Sequence, residues 1–210
     1  MIKLHSLYEA LFLHFGPQHW WPGENPWEIT VGAMLTQQVA WTNVEKAIAN
    51  LKTADLLNLE KMSNANLDIL KELIKPVGFY NQKGARLLDF AKLVSCKYGS
   101  IEKMLARPTQ EVRQELLGIK GIGPETADSI LLYAGGHLTF VIDAYTKRMA
   151  RCLQIPEAED YHALKSVFEA NLPKDVQVYN EYHALIVRLG KVFCKTKPNC
   201  TNCPVIAYKR

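Results

Sequence analysis

No stretch of this 210-residue chain approaches the roughly 18 apolar residues in a row that a membrane span requires. Lys3, His5 and Glu9 near the start are unlike the basic-then-apolar order of a secretory leader. Neither signal peptide nor membrane anchor is therefore expected, and the expected location is cytoplasmic. Cysteine is scarce and odd in number: there are five, of which Cys194, Cys200 and Cys203 stand near the C-terminus. That pattern argues against a disulfide framework and leaves a metal site or free thiols. Charge of either sign is nearly balanced, with 25 Lys and Arg against 21 Asp and Glu, so the net charge of +4 permits a nucleic-acid partner without demanding one. Low-complexity segments and repeats are lacking. So is alternating strand patterning: only Leu138 to Ile142 reads as a strand, and one short apolar run cannot make a sheet. The fold class that remains is all-α.

What is there is a series of helices, with 48% hydrophobic residues to pack them. Leu4, Leu7, Leu11, Phe12 and Phe15 recur at helical spacing before Gly16-Pro17. Asn25-Pro26-Trp27-Glu28 is a helix start, with a capping Asn, Pro at the first position and Glu reaching back. Thr42-Asn43-Val44-Glu45 repeats the capping-box logic, and Gln37 to Trp41 reads as a break between the two helices. Further helices are expected near 54–60, 64–75, 82–98, 101–106, 110–118, 124–134, 144–154, 160–171 and 176–194.

The densest signal is Leu116-Leu117-Gly118-Ile119-Lys120-Gly121-Ile122-Gly123-Pro124-Glu125-Thr126-Ala127-Asp128. Gly118, Gly121 and Gly123 suit a tight hairpin whose backbone amides can meet a ligand, and Pro124 suits the first turn of the next helix. An ordinary helix-turn-helix joint would carry the same glycines. Phe140-Val141-Ile142-Asp143 follows, and an aspartate between an apolar run and a helix can cap that helix.

Taken with Leu35-Thr36-Gln37-Gln38 and Gly78-Phe79-Tyr80-Asn81-Gln82-Lys83, these stretches resemble the helix-hairpin-helix, Gly/Pro-Asp signature of the endonuclease III superfamily of DNA glycosylases. Trp20-Trp21-Pro22 and the Gly-Phe-Tyr-Asn-Gln-Lys run are most similar to its 3-methyladenine DNA glycosylase III branch. The resemblance spans nearly the whole chain. It implies two helical lobes, a barrel-like bundle over 26–138 with its helix-hairpin-helix at about 110–134, and a second lobe from 1–25 with 139–210. A DNA-binding cleft would lie between them.

The resemblance also implies roles. Asp143 would be catalytic, since a carboxylate held ionised at a helix N-terminus stabilises an oxocarbenium-like sugar or orients water; the plainer reading is a helix cap pairing with Lys147. Gly118, Lys120, Gly121 and Gly123 would meet DNA phosphates, and the family's hairpin carbonyls hold a monovalent cation, which stays open here. Lysine, the imine-forming residue of bifunctional members, is replaced by Glu125, which cannot attack as an amine. Trp20, Trp21 and Trp41 would line the base pocket, where aromatic faces attract a cationic methylated purine; packing between lobes is the alternative. Gln38 and Phe79 match residues that fill the stack when a base is flipped, though Phe79 could equally be core, and Lys83 would touch phosphate. Cys200-x-x-Cys203-Pro204 with Cys194 resembles part of the family's 4Fe-4S loop. Five residues separate Cys194 from Cys200 where endonuclease III has six, and Lys209 stands at the fourth cysteine position. A degenerate loop with free thiols is expected, with zinc a minor option, and no cofactor is required. Cys96 and Cys152 read as core residues.

The function implied is a monofunctional DNA glycosylase of base excision repair, a monomer acting on a flipped alkylated purine in double-stranded DNA beside the chromosome. A glycosylase for oxidised or deaminated pyrimidines and a non-catalytic helix-hairpin-helix DNA-binding module are the alternatives.

Overall fold

The computed structural model describes residues 4–195 and 198–208. Among them twelve α-helices run in chain order as α1 (Leu4–Phe15), α2 (Pro26–Leu35), α3 (Trp41–Thr53), α4 (Leu59–Ser63), α5 (Leu67–Leu73), α6 (Tyr80–Tyr98), α7 (Ile101–Leu105), α8 (Thr109–Gly118), α9 (Pro124–Ser129), α10 (Ala144–Cys152), α11 (Tyr161–Asn171) and α12 (Val176–Val192). A π-helical turn, Ile130–Ala134, extends α9. The fold is all-α, and no described helix is long and apolar enough to cross a membrane. Leu138 to Ile142, expected as a strand, is not one. A strand needs a partner ladder, and here the amide of Phe140 instead donates to Glu169 Oε1 at 2.8 Å.

The helix starts follow from local chemistry. Asn25, Asn58, Asn66, Ser100, Asp143, Asp160 and Asp175 each accept a backbone N–H within the first turn of the helix they cap. Glu28 Oε2 reaches back past Asn25 to the amide of Glu24 at 3.3 Å. The second capping box is not formed. α3 begins at Trp41 behind Ala40, without a side-chain cap, and Glu45 accepts from Trp41 Nε1 at 2.9 Å instead. α4 starts at Leu59, later than expected, because Asn58 supplies its cap.

The chain divides into two compact units, residues 21–136 and residues 1–20 with 137–210. In the first, α6 packs on α4 and α5, and its C-terminus closes at Gly99, whose φ of +75° suits a residue without Cβ. Trp27 stacks on Phe90 with rings 6.0 Å apart and 5° from parallel, inside a core that includes Val31, Leu35, Leu87 and Leu116. In the second unit α12 carries α1 and α10, and Phe140 stacks on Phe168 at 4.5 Å among Tyr179 and Tyr182.

Candidate active site

Asp143 occupies the N-cap of α10. Its Oδ1 accepts from the Thr146 amide at 2.7 Å and from Thr146 Oγ1 at 2.9 Å. Its Oδ2 lies 3.6 Å from Nε2 of His183, a buried residue of α12. Burial pushes the carboxyl pKa up, but His183 and the two bonds from Thr146 outweigh it and hold the group below its ordinary value. The carboxylate thus stays ionised while only about an eighth of its side chain is exposed. Two features outside the motif fix α10. Glu169 ties down the preceding apolar run through Phe140, and a side chain at Gly190 would overlap the Tyr145 ring, so only glycine lets α12 approach there. His183 and Gly190 were not recognised from sequence; they lie on a distant helix and fit no local pattern.

In the other unit, α8, the hairpin and α9 form the helix-hairpin-helix. Gly121 has φ +91°, which calls for glycine, and the Arg86 side chain lies where its Cβ would be. A Cβ on Gly118 or Gly123 would meet nothing within 4 Å. Gly118, Lys120 and Gly123 are exposed, whereas Ile122 is buried and anchors the turn from beneath. Gln37 Nε2 donates to the Gly121 carbonyl and to Thr126 Oγ1, both at 2.9 Å, which fixes the hairpin to the turn after α2. Asp128, fully buried, takes a two-bond grip from Arg113 at 2.8 and 3.1 Å, locking α9 to α8. Glu125 is exposed in the first turn of α9.

Gln38 and Phe79 are both exposed, and both have left-handed backbones, with φ +55° and +46°. Lys83 is not where a phosphate contact requires it. It is buried, and its Nζ donates to the carbonyls of Gln37 at 2.8 Å, Leu35 at 2.9 Å and Val77 at 3.1 Å. An ammonium has three N–H groups, and all three are spent inside the fold. Burial pulls its pKa down.

The adjacent tryptophans part company at the boundary between units. Trp21 meets Trp41 edge-on, with ring centres 5.2 Å apart, and Tyr133 at 5.2 Å; with Glu28, Glu45 and Lys52 the two tryptophans line a cavity of about 240 Å³. Their perpendicular rings make a wall and floor rather than a parallel slot. Trp20 belongs to the other unit, where Lys191 Nζ lies 5.8 Å from its ring centre.

Cys194, Cys200 and Cys203 line a cavity of about 340 Å³ together with Cys152, the last residue of α10. Cys152 therefore belongs with the C-terminal cysteines rather than in a core, and Cys96 is exposed on α6. Among the described residues no three His, Cys, Asp or Glu side chains converge on a single metal ion. Burial and the neighbouring thiols push the Cys194 pKa up to about 11. Lys209, at the fourth position of the loop, lies outside the described residues.

Comparison with known proteins agrees with this architecture. The family profile of the HhH-GPD superfamily base excision DNA repair proteins matches residues 31–174. The candidate DNA repair glycosylase MJ1434 of Methanocaldococcus jannaschii is 50% identical over 205 residues, 96% of this chain and 93% of its own. Among solved structures, the 3-methyladenine DNA glycosylase MagIII of H. pylori, bound to 1,N6-ethenoadenine, superposes with a TM-score of 0.79 at 33% identity, over 89% of this chain and 96% of that one. A non-covalent endonuclease III–DNA complex shares the fold, with a TM-score of 0.84 at 20% identity over 99% and 94% of the two chains. With its profile match and half-identical relative, the chain belongs to the HhH-GPD superfamily of base excision DNA repair proteins.

Proposed function

We propose that the chain is a monofunctional DNA glycosylase that hydrolyses the N-glycosidic bond of a flipped, alkylated purine in duplex DNA. The observation that carries this reading is Asp143: a carboxylate on a helix N-terminus, held ionised by Thr146 and His183 against the cost of burial. As the bond from C1′ to the base breaks, its electron pair leaves with the base and positive charge develops on the sugar. A fixed anion stabilises that charge. Water adds to C1′, and the proton it loses is accepted by Asp143 or by solvent.

Hydrolysis without a covalent enzyme intermediate is supported by the lysine inventory. Glu125 stands where bifunctional relatives of this superfamily have the imine-forming amine, and a carboxylate cannot form an imine. Lys83, whose pKa is lowered, has every N–H engaged by a carbonyl. The base class is supported by the cavity beside Trp21 and Trp41. Its aromatic faces and the carboxylate of Glu45 favour a purine made cationic by alkylation over the neutral base, while the Glu28 carboxylate there is paired with Lys52 at 3.0 Å. The MagIII relative is named for 3-methyladenine, which fits the same class.

Gly118, Lys120, Gly121 and Gly123 are assigned to the DNA backbone, and Gln38 and Phe79 to the gap left by the extruded nucleotide. The cysteine cavity does not fit a single metal ion, and no step of the reaction passes through it. The test is release of methylated bases from alkylated duplex DNA. Free 3-methylpurine with an intact abasic strand is the expected product, and strand scission or release of oxidised pyrimidines in its place would overturn the assignment.

A further inference from the structure

The residue that the proposed function leaves without a task is Lys83. A buried lysine is costly unless its charge is compensated, and here three carbonyls from two separate turns compensate it. Leu35 closes α2 and Gln37 lies in the turn after it, and the third carbonyl, Val77, belongs to the 3₁₀ turn before α6. Bonds of 2.8 and 3.1 Å to one nitrogen bring the Gln37 and Val77 carbonyl oxygens no farther apart than the sum of those lengths. Gln38 follows the first carbonyl directly, and Phe79 follows the second by two residues. The Lys83 amide also donates to the Phe79 carbonyl at 2.9 Å.

Gln38 and Phe79 both hold positive φ without being glycine, a conformation that costs on the order of 1 kcal/mol or more each. Such strain persists only where the surroundings over-determine it. Gln38 is exposed and Phe79 is 67% exposed, so packing of their own side chains cannot hold them. The hydrogen bonds from Lys83 to the carbonyls beside them can. Gln37 extends the same scaffold, its carbonyl on Lys83 and its side chain on the hairpin at Gly121.

From this geometry we infer that Lys83 is a positioning residue that holds Gln38 and Phe79 in left-handed conformations on adjacent turns, presenting them together as a two-part plug for the space an extruded base vacates. The inference rests on the proposed base-flipping reading. It gives Lys83 a role in recognising distorted DNA although it touches no DNA itself.

The experiment measures affinity of the full chain for two duplexes, one intact and one with a stable abasic-site analogue. The variants are Lys83→Met, Gln38→Ala, Phe79→Ala and the Lys83→Met/Phe79→Ala double, each checked for folding by thermal melt. Lys83→Met is expected to lower the preference for the abasic duplex by about tenfold, within the usual range for coupled neighbours. Intact duplex, gripped by the hairpin, should bind within about twofold of wild type, and the double variant should lose less than the product of the two single losses. A melt-stable Lys83→Met with the wild-type preference overturns the inference while leaving the plug intact. If Gln38→Ala and Phe79→Ala both keep the wild-type preference, the plug reading of these residues falls, and this inference with it. Should Lys83→Met not fold, Lys83→Arg is read in its place: it keeps the cation but directs its N–H groups differently. Loss of preference by Lys83→Arg supports positioning, and full retention overturns it.

Discussion

Replacing Asp143 by Asn separates the two tasks assigned to one side chain. Asn and Asp cap helices about equally well, and the Asn oxygen can take over both bonds now made by Oδ1, from the Thr146 amide and from Thr146 Oγ1. Asp143→Ala removes the cap and should cost about 1 kcal/mol of stability; Asp143→Asn should cost less than that. The catalytic consequence is the reverse of a capping defect. Neutralising a preorganised charge at a developing ionic transition state costs on the order of 10²- to 10³-fold in rate, so both variants should fall by at least about 100-fold under single-turnover excision of methylpurine, irrespective of melting temperature. Affinity for duplex DNA, assigned to the hairpin, should hold. The pH profile adds a second check. A carboxyl whose folded pKa is depressed contributes stability above its unfolded value of about 3.9 and loses it as pH falls through the lower folded value. Excision by the wild-type protein should therefore show no carboxylate limb between pH 7 and about 5. An Asp143→Asn protein that excises at the wild-type rate, or whose rate falls only in proportion to lost stability, refutes the catalytic assignment.

Other outcomes follow from contacts elsewhere. Glu115 is held at a pKa of about 2 because hydrogen bonds from Lys97, Tyr98 and Arg107 outweigh the burial that would raise it. Its contribution, at most about 3 kcal/mol and less given the exposure of Lys97, is present above about pH 4.5 and lost as pH falls toward 2, so Glu115→Gln should show a shallower acid denaturation curve. Arg113→Ala leaves the Asp128 carboxylate buried without its bidentate partner and should cost about 3–5 kcal/mol in urea denaturation. Glu125→Lys restores an exposed amine to the position that bifunctional relatives use, and borohydride should then trap a covalent DNA adduct that is not expected of the wild-type protein. Freshly purified protein is expected to show no band at about 400 nm, where iron–sulfur clusters absorb. A band lost in Cys152→Ser would instead make Cys152 the fourth ligand.

How much of this was legible depends on whether the determining interactions are local. Helix starts were read well because a cap is decided within four residues, as at Asn25 and Asp143. The capping box at Thr42 failed although its local pattern was correct: the N-cap lies two residues earlier, at Ala40, and Trp41 bonds Glu45. The run before Asp143 satisfied strand propensity, but a strand is a pair property and no partner exists for it among the described residues. Trp20 and Trp21, neighbours in sequence, fall to different units because the chain crosses between them, and no residue-level signal marks that point.

Lys83 is the instructive failure. A lysine after Asn-Gln in a polar stretch is ordinarily solvated, so phosphate contact was the economical expectation. Its burial is decided by where three carbonyls from two turns converge, and only the folded chain fixes that convergence. His183 is missed for the same reason: it acts on Asp143 from another helix. In both cases a side chain whose partners no local pattern reveals bears on a residue that the motif singles out. Asp143 without His183 would keep its cap through Thr146 but lose one of the interactions that offset burial, and its pKa would rise. The chemistry is therefore written in the local signature. The ionised state of the buried carboxylate depends on His183 from another helix, and the left-handed backbones at Gln38 and Phe79 are assigned to the carbonyl grip of a lysine whose burial no local pattern marks.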